Sequence, residues 1–461
     1  MSSDSRTPTI NQGGIGTIHE SDSNYTVTKR NKIDRSFNRV SESINPVSCN
    51  LLKQYLLLEF PFLVEFQRDE AFIIPANVLS TEQIEDMLNL IASYALFRMG
   101  PSEGEVLTAI DYGILRNPDL NEITRDVGVV YSRKEIAIDL KTALITLREF
   151  LVAEYFASMD VVDAEAIIHN KGFAIWKDEE GKFEVAIDME NWSGTEARTE
   201  PGMEYGQMVD FKQENLKAVI TNIEKLESPE EKGRRIYETL LALKPVARML
   251  DFMVSNSRTR LVSRNGETEV ETIGKLSICH FDVKPENIFS RNLADFNTGN
   301  PTANLILGDF GLSQIAEAPH GMYTGGTAAY KAPELIDEYF SKMFTRADVY
   351  SFAVTLYYLL LGHRPETFID PKNGQKTRDK AFTFVTVSDD GRGIIEEDTN
   401  LVIELDLHNI LIERGIASQD STDTILHILS HGMSLIAENR YSSCSELIED
   451  LLAEVVRYNV V

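Results

Sequence analysis

Between residues 233 and 254 the apolar side chains Ile236, Leu240, Leu241, Leu243, Val246, Met249, Leu250 and Met253 recur at three- and four-residue spacing. That is the period of one buried helix face, and Pro245 inside it predicts a kink. Residues 142–159 carry a similar long helical pattern that contains Glu149 and Glu154, and residues 50–60 read as a shorter amphipathic helix. Residues 352–361 form the longest apolar run, which reads as a buried helix and is too short to span a bilayer. Residues 422–436 and 443–458 predict two final helices.

Strand patterns gather in the N-terminal half. Residues 60–66 and 71–75 read as two strands across a short charged turn. Residues 126–132 and 135–140 alternate like a tight hairpin, and 173–176 with 183–189 form a second one around Asp178-Glu179-Glu180-Gly181. Residues 10–18 and 25–29 read as short strands with a polar hairpin tip at 21–24. Residues 305–312 form an apolar strand that ends in Asp309-Phe310-Gly311. Residues 1–9 are polar and read as a disordered tail. The polar stretches 255–274, 290–304 and 363–400 predict surface loops.

At 461 residues the chain exceeds one ordinary core, which predicts a two-lobed domain with insertions or two to three domains. A formal net charge of −27 disfavours a nucleic-acid backbone or an anionic membrane as the main partner and mildly favours basic substrates. Cys49, Cys279 and Cys444 are few and odd in number, which fits a reducing compartment rather than a disulfide framework. With no apolar signal sequence and no run long enough to span a membrane, the expectation is a soluble cytoplasmic protein.

Candidate chemistry concentrates in Ile278-Cys279-His280-Phe281-Asp282-Val283-Lys284-Pro285-Glu286-Asn287-Ile288-Phe289. A carboxylate, a cation two residues on and an amide five residues on suit phosphoryl transfer. Gly308-Asp309-Phe310-Gly311, the segment Gly326 to Glu334 ending in Ala332-Pro333-Glu334, Asp348 and Arg440 follow in order. Carried by this ordered set, the chain resembles the eukaryotic-type protein kinase family. The resemblance implies an α+β, two-lobed protein-kinase-like fold with a small β-rich N-lobe, a large helical C-lobe and insertions. It implies Asp282 as catalytic base, Lys284 on the γ-phosphate, Asn287 and Asp309 as Mg²⁺ ligands and ATP as phosphate donor. A Lys at 284 resembles the Ser/Thr-specific branch. Thr327 matches the residue that contacts the catalytic Asp and Lys, Glu334 and Arg440 the buried ion pair, and Asp348 the anchor of the catalytic loop. His280 reads as structural.

Two stretches compete for the N-lobe. In the favoured one, residues 10–77, Ile10-Asn11-Gln12-Gly13-Gly14-Ile15-Gly16-Thr17-Ile18 resembles the Gly-rich loop, where bare backbone amides can approach phosphates. Gly13, Gly14, Gly16, Ile18 and Lys29 would then bind nucleotide, with Gly16 roughly opposite Lys29 and a hinge near residues 75–77. The helix there offers Leu51 where a Glu is expected, so Glu42 or Glu59 would have to substitute. Residues 78–230 become an insertion and 231–461 the C-lobe. The alternative N-lobe, residues 120–190, supplies a helix with Glu149 and Glu154 and a hinge-like Met189-Glu190. It lacks the other glycines and offers Asp139, or Lys141 in another register.

Phe281 stands where the family keeps an Arg that pairs with a phosphorylated activation loop, so activity independent of that phosphorylation is expected. The functional expectation is a Ser/Thr protein kinase acting on a protein substrate. The alternatives are a pseudokinase or scaffold and, less well matched, a small-molecule phosphotransferase. The diverged motifs also resemble kinases that bacterial pathogens deliver into host cells.

Overall fold

The computed structural model describes residues 9–12, 16–20, 26–31, 53, 56–67, 71–93, 133–159, 166–177, 183–190, 215–255, 258–264, 267–274, 276–290, 305–316, 327–335, 344–362, 384–387, 392–396 and 402–457. Six strands form one antiparallel sheet: β1 (Thr9–Gln12), β2 (Gly16–Glu20), β3 (Thr26–Asn31), β4 (Ala71–Pro75), β5 (Asn170–Lys177) and β6 (Phe183–Glu190). Their spatial order is β1-β2-β3-β6-β5-β4. The seam is β3 against β6, with Lys29 opposite Ile187, so residues from both candidate N-lobes share one sheet.

This finding replaces the division at residue 77. The sheet takes β1 to β3 from one candidate and β5 and β6 from the other. The chain leaves it at Glu190, and Asn215, the next described residue, caps a helix. Two smaller corrections concern β1 to β3. Thr9, assigned to the tail, opens β1. Lys29 pairs with Ile18, while Gly16 lies opposite Asn31, a register two residues from the expected one.

Helix α1 spans Thr81–Ser93 and α2 spans Arg133–Ala157. The expected strand at 135–140 is the first part of α2. Ile136, Ile138 and Leu140 alternate locally, but Ile136, Leu140, Ala143, Leu144 and Leu147 also follow a helical period that continues into the next three turns. The expected strand at 60–66 is instead a 3-10 helix, Pro61–Phe66. Pro61 fixes the first turn, and Phe60, Leu63 and Phe66 are buried at three-residue spacing, the period of that helix. Phe150 of α2 packs on Phe173 of β5 with ring centroids 5.9 Å apart, fixing the helix against the sheet.

The larger helical part begins with α3 (Leu216–Glu224) and α4 (Pro229–Val254). Asn215 and Ser228 cap them by accepting from the N–H groups of Ala218 and Glu231. Pro245 lies within α4, whose Ile236, Leu240, Leu243, Val246, Met249, Leu250 and Met253 are buried as the sequence period requires. The stretch 255–274 forms a hairpin, β7 (Arg258–Arg264) and β8 (Glu267–Gly274), rather than a loop. Its register sets Arg260 opposite Glu271 and Arg264 opposite Glu267, which favours pairing.

Short paired strands frame the next segment: β9 (Ile278–Cys279), β10 (Ile288–Ser290), β11 (Leu305–Leu307) and β12 (Gln314–Ile315). β10 pairs β11, and β9 pairs β12. Helix α5 (Ala347–Leu361) is buried at every position but Tyr358, so neighbours surround it on all sides. The expected loop 363–400 includes β13 (Phe384–Val387) and β14 (Arg392–Glu396), which pair with each other and, through β14, with β15 (Val402–Asp406). Their β-branched content outweighs the polar average of the stretch. Helices α6 (Leu407–Glu413), α7 (Thr422–Gly432) and α8 (Cys444–Glu454) close the fold. Gly432 lets α7 approach α5, since a Cβ there would lie 2.8 Å from that of Ala353. Ser443 caps α8, and Asp251 of α4 accepts from the N–H groups of Cys444 and Ser445. Cys279 and Cys444 are buried thiols.

Candidate active site

The loop after β9 is held from behind. Asp348, in the first turn of α5, accepts from the backbone N–H of His280 at 2.6 Å and of Phe281 at 2.8 Å. His280 is fully buried, and its Nδ1 accepts from the N–H of Asp282. The ring proton then sits on Nε2, which faces the carbonyl of Gly308 at 3.2 Å. Burial holds the imidazole below its usual range despite nearby Asp348 and Asp309, so His280 is a neutral strut. Phe281 takes a left-handed backbone (φ 62°) and is buried.

Asp282 is the focus of this arrangement. Lys284 donates its Nζ to Oδ2, and Asn287 donates Nδ2 to the same oxygen at 3.0 Å and to the Asp282 carbonyl at 2.9 Å. Oδ1 accepts from the N–H of Thr327 at 3.2 Å, and Lys284 Nζ also reaches Thr327 Oγ1 at 3.0 Å. Burial pushes the Asp282 carboxyl up, and the Lys284 ammonium draws it partly back. Lys331 also feels this carboxylate: burial lowers its ammonium and Asp282 partly restores it.

Asn287 and Asp309 come together by strand pairing. β10 follows Asn287, β11 precedes Asp309, and the N–H of Gly308 donates to the Asn287 carbonyl at 3.0 Å. A side chain at Gly308 would meet the side chains of Ile168 at 2.2 Å and Phe289 at 2.9 Å, so they would have to shift to admit it. Asp309 is left-handed (φ 63°), a sparsely populated backbone for a non-glycine residue. Asn287 uses its amide nitrogen on Asp282, leaving its oxygen as the acceptor end. An amide oxygen and a carboxylate are the hard ligands that Mg²⁺ prefers, so the pair fits such an ion.

Helix α2 reaches the same place. Arg148 donates to the carbonyl of Gly311, and Glu149 is buried with Oε2 3.5 Å from where a Gly311 Cβ would stand. Glu149 is therefore the helix carboxylate beside Asp309. Glu59 is exposed, and Leu51 and Glu42 lie outside the described residues. Glu154 instead accepts from the N–H of Asn77 at 2.7 Å, and Lys141 belongs to α2 rather than to a strand. Among the residues proposed to bind nucleotide, Gly13 and Gly14 lie outside the described ones; Gly16 and Ile18 are in β2, and Lys29 is in β3.

Glu334 and Arg440 form a bidentate pair, 2.7 Å at each oxygen, with both side chains excluded from solvent. Arg440 also donates to the carbonyls of Ser434 and Arg346 and lies 5.0 Å over the Tyr350 ring.

Residues 212–457, more than half of the chain, match the model of the protein kinase domain. The chain belongs to the protein kinase family. Among curated proteins, the chain is 35% identical over 172 residues to serine/threonine-protein kinase SRK2A of Arabidopsis thaliana, covering 36% of the chain and 44% of that relative. It is 38% identical over 135 residues to serine/threonine-protein kinase SAPK3 of Oryza sativa subsp. indica (26% and 37% covered). It is 36% identical over 122 residues to serine/threonine-protein kinase DCLK2 of Mus musculus (25% and 15% covered). The kinase thus spans less than half the length of these relatives. They come from plants and a mammal and lend no support to the bacterial-effector resemblance. Among the described residues, no helix is long and apolar enough to cross a membrane.

The sequence pattern missed Arg148, the partner of the Gly311 carbonyl, and left Glu149 unseparated from Glu154. One helical turn and a half divides the two glutamates, which turns them to different neighbours. Nothing in a pattern that is buried on nearly every side says which neighbour is the site.

Proposed function

We propose that this kinase transfers the γ-phosphate of ATP to Ser or Thr hydroxyls of a protein substrate. The observation that carries the reading is Asp282, held by Lys284, Asn287 and Thr327, with Asp309 near enough for its charge to act on the Asp282 carboxyl. Asp282 orients the attacking hydroxyl and accepts its proton as the oxygen bonds to phosphorus and the ADP oxygen departs. Lys284 balances charge on the phosphoryl group in transit, and its place in the loop supports the Ser/Thr assignment. Asn287 and Asp309 would hold Mg²⁺, which when bound neutralises phosphate charge. Gly13, Gly14, Gly16, Ile18 and Lys29 are assigned to the nucleotide, with Glu149 as the partner of Lys29. Neither a nucleic acid nor an integral membrane segment enters this reading, and the proposed site of action is the cytoplasm.

Phe281 supports activity without activation-loop phosphorylation. A buried phenyl ring there offers no cation to a phosphate, so the loop's Tyr323 and Thr324 need not be modified. Phosphatase treatment is then expected to leave the rate unchanged.

A scaffold reading draws on one observation: the family match begins at residue 212, beyond the six-stranded sheet. The deciding experiment is ³²P transfer from ATP and Mg²⁺ to a basic protein and to the chain itself, with Asp282→Asn alongside. Transfer that Asp282→Asn abolishes supports the kinase reading. Nucleotide binding without transfer by the wild type would replace it with the scaffold.

A further inference from the structure

From residue 143 to 156 nearly every side chain of α2 is buried, Arg148, Glu149, Glu154 and Tyr155 among them. A helix that packs only on a sheet would leave one face to water. Helix α1, from the segment between β3 and α2, packs against it and turns inward Ile84, Glu85, Met87, Leu88 and Ile91. A carboxyl on that face needs a partner, and Glu85 has one: Oε1 accepts from the hydroxyl of Tyr155 at 2.9 Å.

The Tyr155 hydroxyl in turn accepts from the backbone N–H of Leu276 at 3.0 Å. Leu276 lies just before β9, the strand that leads to Asp282 and pairs with β12 behind Asp309-Phe310-Gly311. One buried hydroxyl therefore ties together the α1 segment, the helix that carries Glu149 and the root of the catalytic loop. Two further bonds hold the end of α2 to the same segment. The N–H of Asn77 donates to Glu154, and Thr81 Oγ1 lies 3.0 Å from Ser158 Oγ.

We propose that the segment 77–93 is a built-in brace for α2, in which Glu85 and Tyr155 are positioning residues for Glu149 and the Asp282 loop. The proposal rests on the kinase reading for its effect on rate. Its physical content is that α2 keeps one position through contacts within the chain. Tyr155 supplies both a donor to Glu85 and an acceptor to Leu276. Removing its hydroxyl takes one hydrogen bond from a buried carboxyl and one from a buried N–H together.

The test uses the full chain with Tyr155→Phe, Glu85→Ala, Glu85→Gln and the double variant Tyr155→Phe/Glu85→Ala. The expected result is a roughly tenfold fall in kcat for Tyr155→Phe and Glu85→Ala, because small displacements of catalytic groups are costly. KM for ATP should stay close to wild type, Glu85→Gln should keep most activity through its amide oxygen, and the double variant should fall no further than the worse single one. Amide hydrogen exchange should rise in residues 145–157 and 276–282 in the two loss variants. A lower melting temperature with unchanged kcat per folded molecule would overturn the positioning role. If the wild type transfers no phosphate, the kinase reading fails by itself. The exchange data then decide the brace, and unchanged protection in both segments overturns it.

Discussion

The catalytic loop and the six-stranded sheet are built in opposite ways. Asp282, Lys284, Asn287, Asp309 and Thr327 lie within 46 consecutive residues, and their geometry follows from two short strand pairs and one anchoring carboxylate, Asp348. The sheet draws β1 to β3 from residues 9–31, β4 from 71–75 and β5 and β6 from 170–190. Where the residues of a candidate site are close in sequence, motif order carries the information. Where a surface is assembled across long connections, each piece reads like a separate candidate.

The sharpest way to break this contrast is Asp282→Asn, expected to reduce kcat by roughly 10²–10⁴ in a phosphotransfer assay, the usual worth of a general base. The fold should survive, since the amide keeps the shape of the carboxylate and one of the two oxygens that accept from Asn287 and Thr327. Next is Arg440→Ala, which leaves Glu334 buried without its cation. A loss of ~3–5 kcal/mol in urea unfolding is expected, against almost none from an exposed pair such as Lys244–Glu449.

On the sheet side, Lys29→Met should cost roughly 10² in kcat/KM, typical of one lost electrostatic contact. Lys141→Met should be close to wild type, because Lys141 belongs to a helix and not to a strand facing β2. The reverse result would return the nucleotide site to the second stretch. The smallest effect is in pH. Burial raises the Asp282 carboxyl, and the reaction needs it ionised. As pH falls through that raised value, kcat should drop about tenfold per unit, starting at a higher pH than an ordinary aspartate would give. A profile flat down to the usual carboxylate range would contradict the assignment.

Much of the helical lobe was legible in advance because its signals are short-range. The period of α4, the apolar run of α5 and the Asp282 to Asn287 spacing involve neighbours in sequence. The hairpin β7–β8 was also written locally, in the Asn265-Gly266 pair between two runs that contain Val and Thr, but its polar average hid it. Residues 135–140 misled for another reason. Six residues satisfy a strand period and a helix period alike, and only the continuation through Leu147 separates them.

The sequence by itself determined the candidate site residues, their order, and the helices that bury around them. Each depends on side-chain chemistry or on a spacing of a few residues. Only the tertiary structure decided that β3 joins β6, that Glu149 rather than Glu154 faces Asp309, and that Glu85 meets Tyr155. Those contacts bring together residues up to 164 positions apart, as Thr26 and Glu190 are. No local preference encodes such a pairing; it follows from which buried surfaces fit once the whole chain has collapsed.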